Sequence, residues 1–207
     1  MNKYLSRQKV LISLFIGLMV TGFSMQYVSG VKTDIEESVV RLHVIANSNS
    51  EEDQQLKLKV RDAVILYLKE KLDTAQNTDE TKEIIKAELQ GIANAALDEI
   101  IANGYCYDVN AQLGVFDFPT KQYGNTKLPS GKYDALRIVI GNGEGENWWC
   151  VLFPQLCFTS NQGGELSEEA KRKLKNVLTE DEYNILTASQ DSNVPVRIKF
   201  RLLEIFE

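Results

Sequence analysis

Histidine, cysteine, proline and tryptophan are all scarce in this chain, and each shortage narrows what the protein can do. Its 207 residues include one histidine, three cysteines, four prolines and two tryptophans. A zinc site usually draws on close pairs of cysteine or histidine ligands, and this composition offers none at the usual spacing. Few prolines and the lack of a low-complexity tract argue against long disordered stretches. The sequence therefore predicts an ordered chain with no metal and no other cofactor.

Basic residues are also in short supply. Lysine and arginine total 23 against 29 acidic residues, which gives a formal net charge of −6. A protein that binds nucleic acid generally needs a basic surface that displaces counterions from the phosphates. The acidic balance therefore predicts no nucleic-acid partner.

The first thirty residues differ from the rest in having no acidic residue. Lys3, Arg7 and Lys9 precede an apolar run over residues 10–20, and this order is typical of a secretory signal. Basic residues before such a run keep the N-terminus inside, so the remainder of the chain is expected outside the membrane.

The end of this segment allows two interpretations. Val28 and Gly30 are small residues at the positions that a signal peptidase requires, which predicts a signal peptide over residues 1–30. A retained N-terminal anchor is the alternative, because extending the run to Tyr27 nearly reaches the roughly 20 residues that span a membrane. Contact with a membrane is expected only during export or through this uncleaved helix.

The remaining residues, 31–207, are predicted to form a single globular domain. They contain 20 basic and 29 acidic residues, a net charge of −9. This length is enough for one ordinary hydrophobic core.

Alternating apolar residues predict five strands in this domain. They cover residues 39–45, 105–118, 133–140, 148–153 and 196–202. A glycine-rich loop separates the third strand from the fourth, and we therefore expect these two strands to form a hairpin.

Apolar residues at three- and four-residue spacing predict two long helices, over residues 50–72 and 77–104. Each begins with a capping box, in which a serine or asparagine is followed three residues later by an acidic residue. Two short helices begin near Ser167 and Thr179, before the last strand. The order predicts an α+β fold: a mixed or antiparallel sheet packed against two long helices, with a small C-terminal helical insertion before the last strand.

His43 is the only histidine and so the only conventional base for a serine or cysteine nucleophile. No Gly-x-Ser-x-Gly nucleophile elbow accompanies it. The run from Gly141 to Gly145 imitates a phosphate-binding loop, but a strand follows it rather than the helix whose amides hold an anion. We therefore predict that the protein is not an enzyme and that His43 has a structural or hydrogen-bonding role.

Cys150 and Cys157 are close in sequence, and Pro154 between them favours a bend. They are candidates for a disulfide in an oxidising compartment. The alternative is that all three cysteines are buried thiols. In the simplest pairing Cys106 stays free.

Two further segments are candidates for binding a partner. Adjacent strand residues point to opposite faces, so one of Trp148 and Trp149 can be exposed beside a mobile glycine loop, as at many binding hot spots. Burial of both tryptophans under the helices is the alternative.

Asn47, Ser48 and Asn49 can hydrogen-bond local backbone, which predicts a structural hub between the first strand and the first long helix. The candidate partner-binding residues are His43, Asn47, Ser48, Asn147, Trp148 and Trp149.

Two long segments resemble one protein family. The first contains Arg-Leu-His-Val-Ile-Ala-Asn-Ser at residues 41–48 and Leu-Lys-Leu-Lys-Val-Arg-Asp at residues 56–62. The second runs over residues 128–158 and is centred on Trp-Trp-Cys-Val-Leu-Phe-Pro at residues 148–154. Together they look like the stage II sporulation protein R family, over nearly the whole chain after residue 30.

This resemblance implies an exported signalling protein of sporulation. It would be made in the forespore and secreted into the space between the forespore and mother-cell membranes. There it would activate a membrane-bound aspartic protease, which then processes the precursor of sigma factor E. The family brings no catalytic residues to this sequence.

Two other functions remain open from the sequence. One is an exported cell-wall-acting enzyme that uses His43 or acidic residues. The other is a structural protein of the cell wall or membrane that keeps its N-terminal helix.

Overall fold

The computed structural model describes residues 2–157 and 168–187, with residues 2–8 described by their backbone alone. The predicted last strand, at residues 196–202, lies outside these ranges. The described helices are α1 (Asn2–Glu37), α2 (Glu51–Leu72), α3 (Thr78–Ala87), α4 (Leu89–Ala102), α5 (Glu168–Val177) and α6 (Glu180–Thr187). The described strands are β1 (Val40–Ile45), β2 (Val109–Phe118), β3 (Lys121–Tyr123), β4 (Thr126–Leu128), β5 (Gly131–Ile140) and β6 (Asn147–Phe153).

Four strands form a mixed sheet in the order β2-β5-β1-β6. Strand β1 runs parallel to β5 and antiparallel to β6, while β2 runs antiparallel to β5. The short strands β3 and β4 pair with each other in a separate two-stranded sheet. The predicted α+β class with a mixed sheet on helices is therefore confirmed.

The predicted hairpin between the third and fourth strands is wrong. These strands are β5 and β6, and β1 lies between them. Residues 141–146 cross the end of β1 to connect them. Neighbouring strands are about 4.8 Å apart, so six residues easily step over one strand, whereas a tight hairpin turn needs only two.

The two predicted capping boxes are found at the starts of α2 and α3. The Ser50 hydroxyl accepts a hydrogen bond from the Asp53 backbone N–H at 3.2 Å, and the Asn77 side chain accepts one from Glu80 N–H at 2.8 Å. Each bond satisfies a donor that the first helical turn leaves without an intrahelical partner.

The predicted helix over residues 77–104 is in fact two helices, α3 and α4, that meet at Glu88. This residue has φ −98° and ψ 4°, outside the helical range. The Tyr67 hydroxyl of α2 donates a hydrogen bond to the Glu88 carboxylate. The same ring lies against Gly91, where an added Cβ would overlap the tyrosine. The bend therefore accommodates a large side chain from the neighbouring helix.

Helix α4 ends near Gly104 as predicted, and the next strand begins later than the alternation suggested. Gly104 has φ +83°, and the N–H of Tyr105 returns to the carbonyl of Ile100 at 3.1 Å in a glycine-capped helix end. Strand β2 begins only at Val109, which pairs with Ile140, the last residue of β5. The residues before it are taken up by the helix cap.

The sheet has two unlike faces. Helices α2, α3 and α4 pack on the first face, over the alternate residues Val40, Leu42 and Val44 of β1. A second core covers one end of the other face, and it is built by the end of α1, strand β4 and helices α5 and α6. Among the described residues, no helix or strand covers the remaining end of this second face, and Gly143 of the loop after β5 lies against Val139 and Ile45 at its border. That open end holds several of the candidate binding residues.

Candidate interaction surface

One row of side chains crosses all four strands on the second face of the sheet. The strand register places Gln112 beside Arg137, Arg137 beside His43, and His43 beside Trp149. Each residue faces this way because side chains alternate along its own strand. A parallel row nearer the crossing loop contains Asn110, Val139, Ile45 and Asn147. We call these eight residues the open face.

The row on the other side of His43 is buried. It contains Arg41, which has no exposed surface. Its guanidinium lies 4.1 Å from the Phe118 ring centre and 4.9 Å from that of Tyr133, and it donates a 2.9 Å hydrogen bond to the Tyr123 hydroxyl. Within the described part of the chain, its Nε and Nη1 have no hydrogen-bond partner. Burial lowers the pKa of Arg41, although the two tyrosines oppose this effect.

His43 lies at the boundary between the buried row and the open face, and it is 7 % exposed. Its ring stacks on that of Trp149, with 3.8 Å between ring centres. The Nε2 atom lies 2.6 Å from the Asn147 carbonyl oxygen Oδ1, while Nδ1 has no partner in residues 2–157 and 168–187. Desolvation lowers the pKa of His43 to about 4, and the charges of Arg137 and Arg41 add to this shift. The ring is therefore neutral near pH 7.

This environment does not suit a catalytic base. Among the described residues, no serine or cysteine is hydrogen-bonded to His43, and its one polar partner is an amide. A base that activates a nucleophile needs that nucleophile within hydrogen-bonding distance. The geometry supports the predicted structural and hydrogen-bonding role.

Arg137 is the half-buried cation of the open face. Its guanidinium lies 4.2 Å from the Phe116 ring centre, and its Nη2 donates to the Gln112 side-chain oxygen at 2.9 Å. Its buried Nε has no hydrogen-bond partner among the residues that the structure describes. Arg137 was not among the predicted site residues, although alternation along the third predicted strand places it on the same face as Tyr133 and Val139.

The six candidate partner-binding residues fall into separate places. His43, Asn147 and Trp149 lie together on the open face. Trp148 lies on the other face and packs against the first core, with the Arg61 guanidinium 4.2 Å from its ring centre. The tryptophans do point to opposite faces, as strand geometry predicts.

Asn47 and Ser48 are held inside the junction between β1 and α2. The Asn47 amide and the Ser48 hydroxyl both donate to Asp53 Oδ2, at 2.8 and 2.6 Å. Burial acts to raise the pKa of Asp53, but these hydrogen bonds outweigh it and hold that pKa below its usual value. The predicted hub is therefore centred on a buried carboxylate.

The same junction holds the crossing loop, residues 141–146, in place. Asn47 accepts a hydrogen bond from Asn142 N–H at 2.9 Å through its side chain, and Asn49 accepts one from Glu146 N–H at 2.7 Å. Gly145 donates to the Ala46 carbonyl at 3.0 Å, and an added Cβ at this glycine would overlap the Ser48 carbonyl. The expectation of a mobile glycine loop beside Trp149 is wrong, because these bonds join the loop to β1 and α2.

Cys150 and Cys157 are joined by a disulfide, with 5.9 Å between their Cα atoms. The Cys157 N–H also donates to the Val151 carbonyl at 3.1 Å, so the chain turns back along the outer side of β6. Cys106 is exposed and not disulfide-bonded.

Other possible sites are less promising. In the part of the chain that the structure describes, no three histidine, cysteine, aspartate or glutamate side chains are grouped as a metal site would require. A groove of about 370 Å³ lies between the start of α2 and the end of α4, lined mainly by polar residues such as Glu51, Lys59 and Asn103. It lies in the helical layer, whereas the open face lies on the opposite side of the sheet.

Residues 9–37 of α1 are long and apolar enough to cross a membrane, and a signal sequence has the same properties. The end of this helix also belongs to the domain. Ile35 is 1 % exposed in the second core, and Val31 packs against that core.

The chain is thus an α+β protein with a mixed sheet and an apolar N-terminal helix that is compatible with a signal sequence. The chain belongs to the stage II sporulation protein R family, because the model of that family, described as Stage II sporulation protein R (spore_II_R), matches residues 36–163. It is 31 % identical over 216 residues to Stage II sporulation protein R of Bacillus subtilis (strain 168), covering 96 % of each chain. No solved structure matches the chain. The predicted resemblance is confirmed, and the protein is a sporulation protein.

Proposed function

We propose that this chain is an exported signalling protein of sporulation that activates a membrane-bound aspartic protease, which then processes the precursor of sigma factor E. It leaves the forespore and acts in the space between the forespore and mother-cell membranes. Membership of the sporulation family and the apolar N-terminal helix support this proposal.

Activation occurs by stoichiometric binding and not by turnover. The observation that carries this part is the open face, where a half-buried tryptophan and an arginine are presented on a rigid sheet beside an immobilised loop. A ligand shifts a protease towards its active form only if it binds that form more tightly. A preorganised surface with an aromatic anchor suits this role. The alternative of a cell-wall enzyme acting through His43 finds no support in the contacts of that residue.

Co-expression in a host without sporulation genes tests the function. The protease and the sigma factor E precursor are produced with and without the full chain, and processing is followed by the size of the precursor. We expect processing only when the chain is present. Processing that is independent of the chain would contradict the proposal.

Titration separates a ligand from an enzyme. Purified full chain is added to membranes that contain the protease, and processing is measured against the molar ratio. Saturation near equimolar amounts is the expected result. Full activation at strongly substoichiometric amounts would show turnover.

The two tryptophans provide a matched pair for locating the surface. Trp149→Leu should weaken activation by about 30-fold, because truncating a binding hot spot costs about 2 kcal/mol or more. Trp148→Leu removes a side chain of equal size from the opposite face and should leave activation close to wild type. Thermal unfolding of both variants verifies that the domain is folded. Equal losses in the two variants would move the binding surface away from the open face.

A further inference from the structure

The open face and the buried row behind it contain cations but no acidic residue. Gln112, Asn110 and Asn147 supply only amides, and the remaining side chains are apolar, aromatic or the neutral imidazole of His43. A chain with 29 acidic residues places none of them among the twelve residues of these three rows of its central sheet.

Arg41 of the buried row and Arg137 of the open face also differ from other cations of the protein. The ion pairs of the described residues involve Arg61 and six lysines, and neither Arg41 nor Arg137 takes part in one. Arg137 is oriented by Phe116 and Gln112, which hold the guanidinium without neutralising it. A guanidinium fixed in this way can form paired hydrogen bonds with a carboxylate at little entropic cost.

Apolar surface adjoins this cation. Trp149 lies next to His43 in the same row, and Ile45 and Val139 are half-buried in the row beside it. This face presents a guanidinium, two branched aliphatic side chains and, on the far side of His43, an indole, and it matches a segment in which an acidic residue alternates with apolar ones. Charge complementarity of this kind favours one partner over others and accelerates association.

We propose that the open face binds a segment of the partner protein that presents a carboxylate to Arg137 and apolar side chains to Trp149, Ile45 and Val139. This inference rests on the proposed function in assigning the face to the activated protease, and it adds the chemistry of the segment that the face recognises. Gln112 and Asn147 contribute neutral hydrogen bonds at the border of the contact.

A peptide titration tests this chemistry without the protease. Full chain carrying Trp148→Phe, in nanodiscs of zwitterionic lipid, retains Trp149 as its only tryptophan. The probes are two acetylated, amidated peptides, Leu-Glu-Leu-Glu-Leu and Leu-Gln-Leu-Gln-Leu. We expect the glutamate peptide to change Trp149 fluorescence at a concentration roughly tenfold lower than the glutamine peptide, since a charge-assisted pair with arginine is lost in the latter. Equal responses to the two peptides would overturn the proposal.

Arginine variants identify the cation responsible. Arg137→Gln should abolish the preference for the glutamate peptide, and Arg137→Lys should retain only part of it because lysine lacks the planar fork. Arg61→Gln is the matched control, since both guanidiniums lie 4.2 Å from an aromatic ring centre, on opposite faces of the sheet. A preference that persists in Arg137→Gln, or that is lost in Arg61→Gln, would contradict the assignment.

The processing assay then connects this chemistry to the function. Arg137→Glu should reduce activation by roughly tenfold or more, whereas Arg61→Glu should stay close to wild type. If wild-type chain fails to trigger processing, the proposed function is wrong, and the peptide result still stands by itself. If wild type and Arg137→Glu trigger processing equally, the function survives and the acidic-segment inference does not.

Discussion

The ring of His43 is almost fully covered by its neighbours, and this burial links its protonation to folding. The pKa of His43 is lowered to about 4 by desolvation, with Arg137 and Arg41 as the charged groups that face it. Its ordinary value is about 6.5. Between these two values the unfolded chain binds a proton that the folded protein excludes, so stability falls as the pH decreases.

We therefore expect the urea midpoint of the full chain to be lower at pH 5 than at pH 7.5. The contribution of His43 is fully present above about pH 6.5 and is lost as the pH falls towards 4. His43→Gln cannot titrate and should show a much smaller difference between the two pH values. Carboxylates contribute little to this comparison, because their ordinary pKa values lie near 4. An unchanged pH dependence in the variant would contradict this account.

At the scale of elements, the contact between the β1–α2 junction and the crossing loop determines how β6 reaches its place in the sheet. Asn47 serves both sides of this contact, accepting from Asn142 and donating to Asp53. Among the described residues, the Asn49 side chain has one hydrogen-bond partner, the N–H of Glu146. Substitution of Asn47 or of Asn49 should therefore weaken the contact by different amounts.

Asn47→Ala should destabilise the domain by about 2 kcal/mol and Asn49→Ala by about 1 kcal/mol, because a typical internal hydrogen bond contributes about 1 kcal/mol. Urea unfolding measures both values. Hydrogen exchange should also become faster at the amides of Asn142, Glu144 and Gly145 in Asn47→Ala. Slow exchange at all three amides in that variant would show that the loop is held in another way.

The disulfide stabilises the segment after β6. It closes a short loop, for which the chain-entropy model gives a contribution of roughly 2.5 kcal/mol. Replacing both Cys150 and Cys157 by serine should lower the free energy of unfolding by about this amount, while Cys106→Ser should have little effect. Alkylation gives an independent measure: the unfolded, unreduced chain should take one label, and the reduced chain three.

These elements show which parts of the fold the sequence could predict. Capping boxes, the Gly104 helix end and the alternation of β1 depend on residues within a few positions of each other, and all were located correctly. The order of strands depends on β1, which lies almost a hundred residues before its neighbours β5 and β6. No local pattern reveals that insertion. The same limit applies to the open face. His43 and Trp149 were recognised as single residues, but only the strand register shows that Arg137 lies beside His43.

In the molecule as a whole, helix α1 contains both the apolar N-terminal segment and residues that pack in the second core. Its residues continue without interruption from Asn2 to Glu37, and Ile35 is buried in the second core. A peptidase that cuts after Gly30 would therefore leave the part of the helix that the domain needs. We expect the exported protein to begin at Val31 by mass spectrometry. Val28→Lys should block the cut, because the small residue is lost. An exported protein that retains Met1 would establish the anchored form.

Because the helix is uninterrupted, cleavage after Gly30 and folding of the domain would compete with each other. A protease reaches a helical bond only after that segment opens, and packing of Val31 and Ile35 against the second core makes opening rarer. If the signal is cleaved, a chain cut before its core forms would diffuse away from its membrane of origin, and a chain that folds first would stay tethered there. In the proposed function, the relative rates of cleavage and folding would then set the distance over which the protein acts.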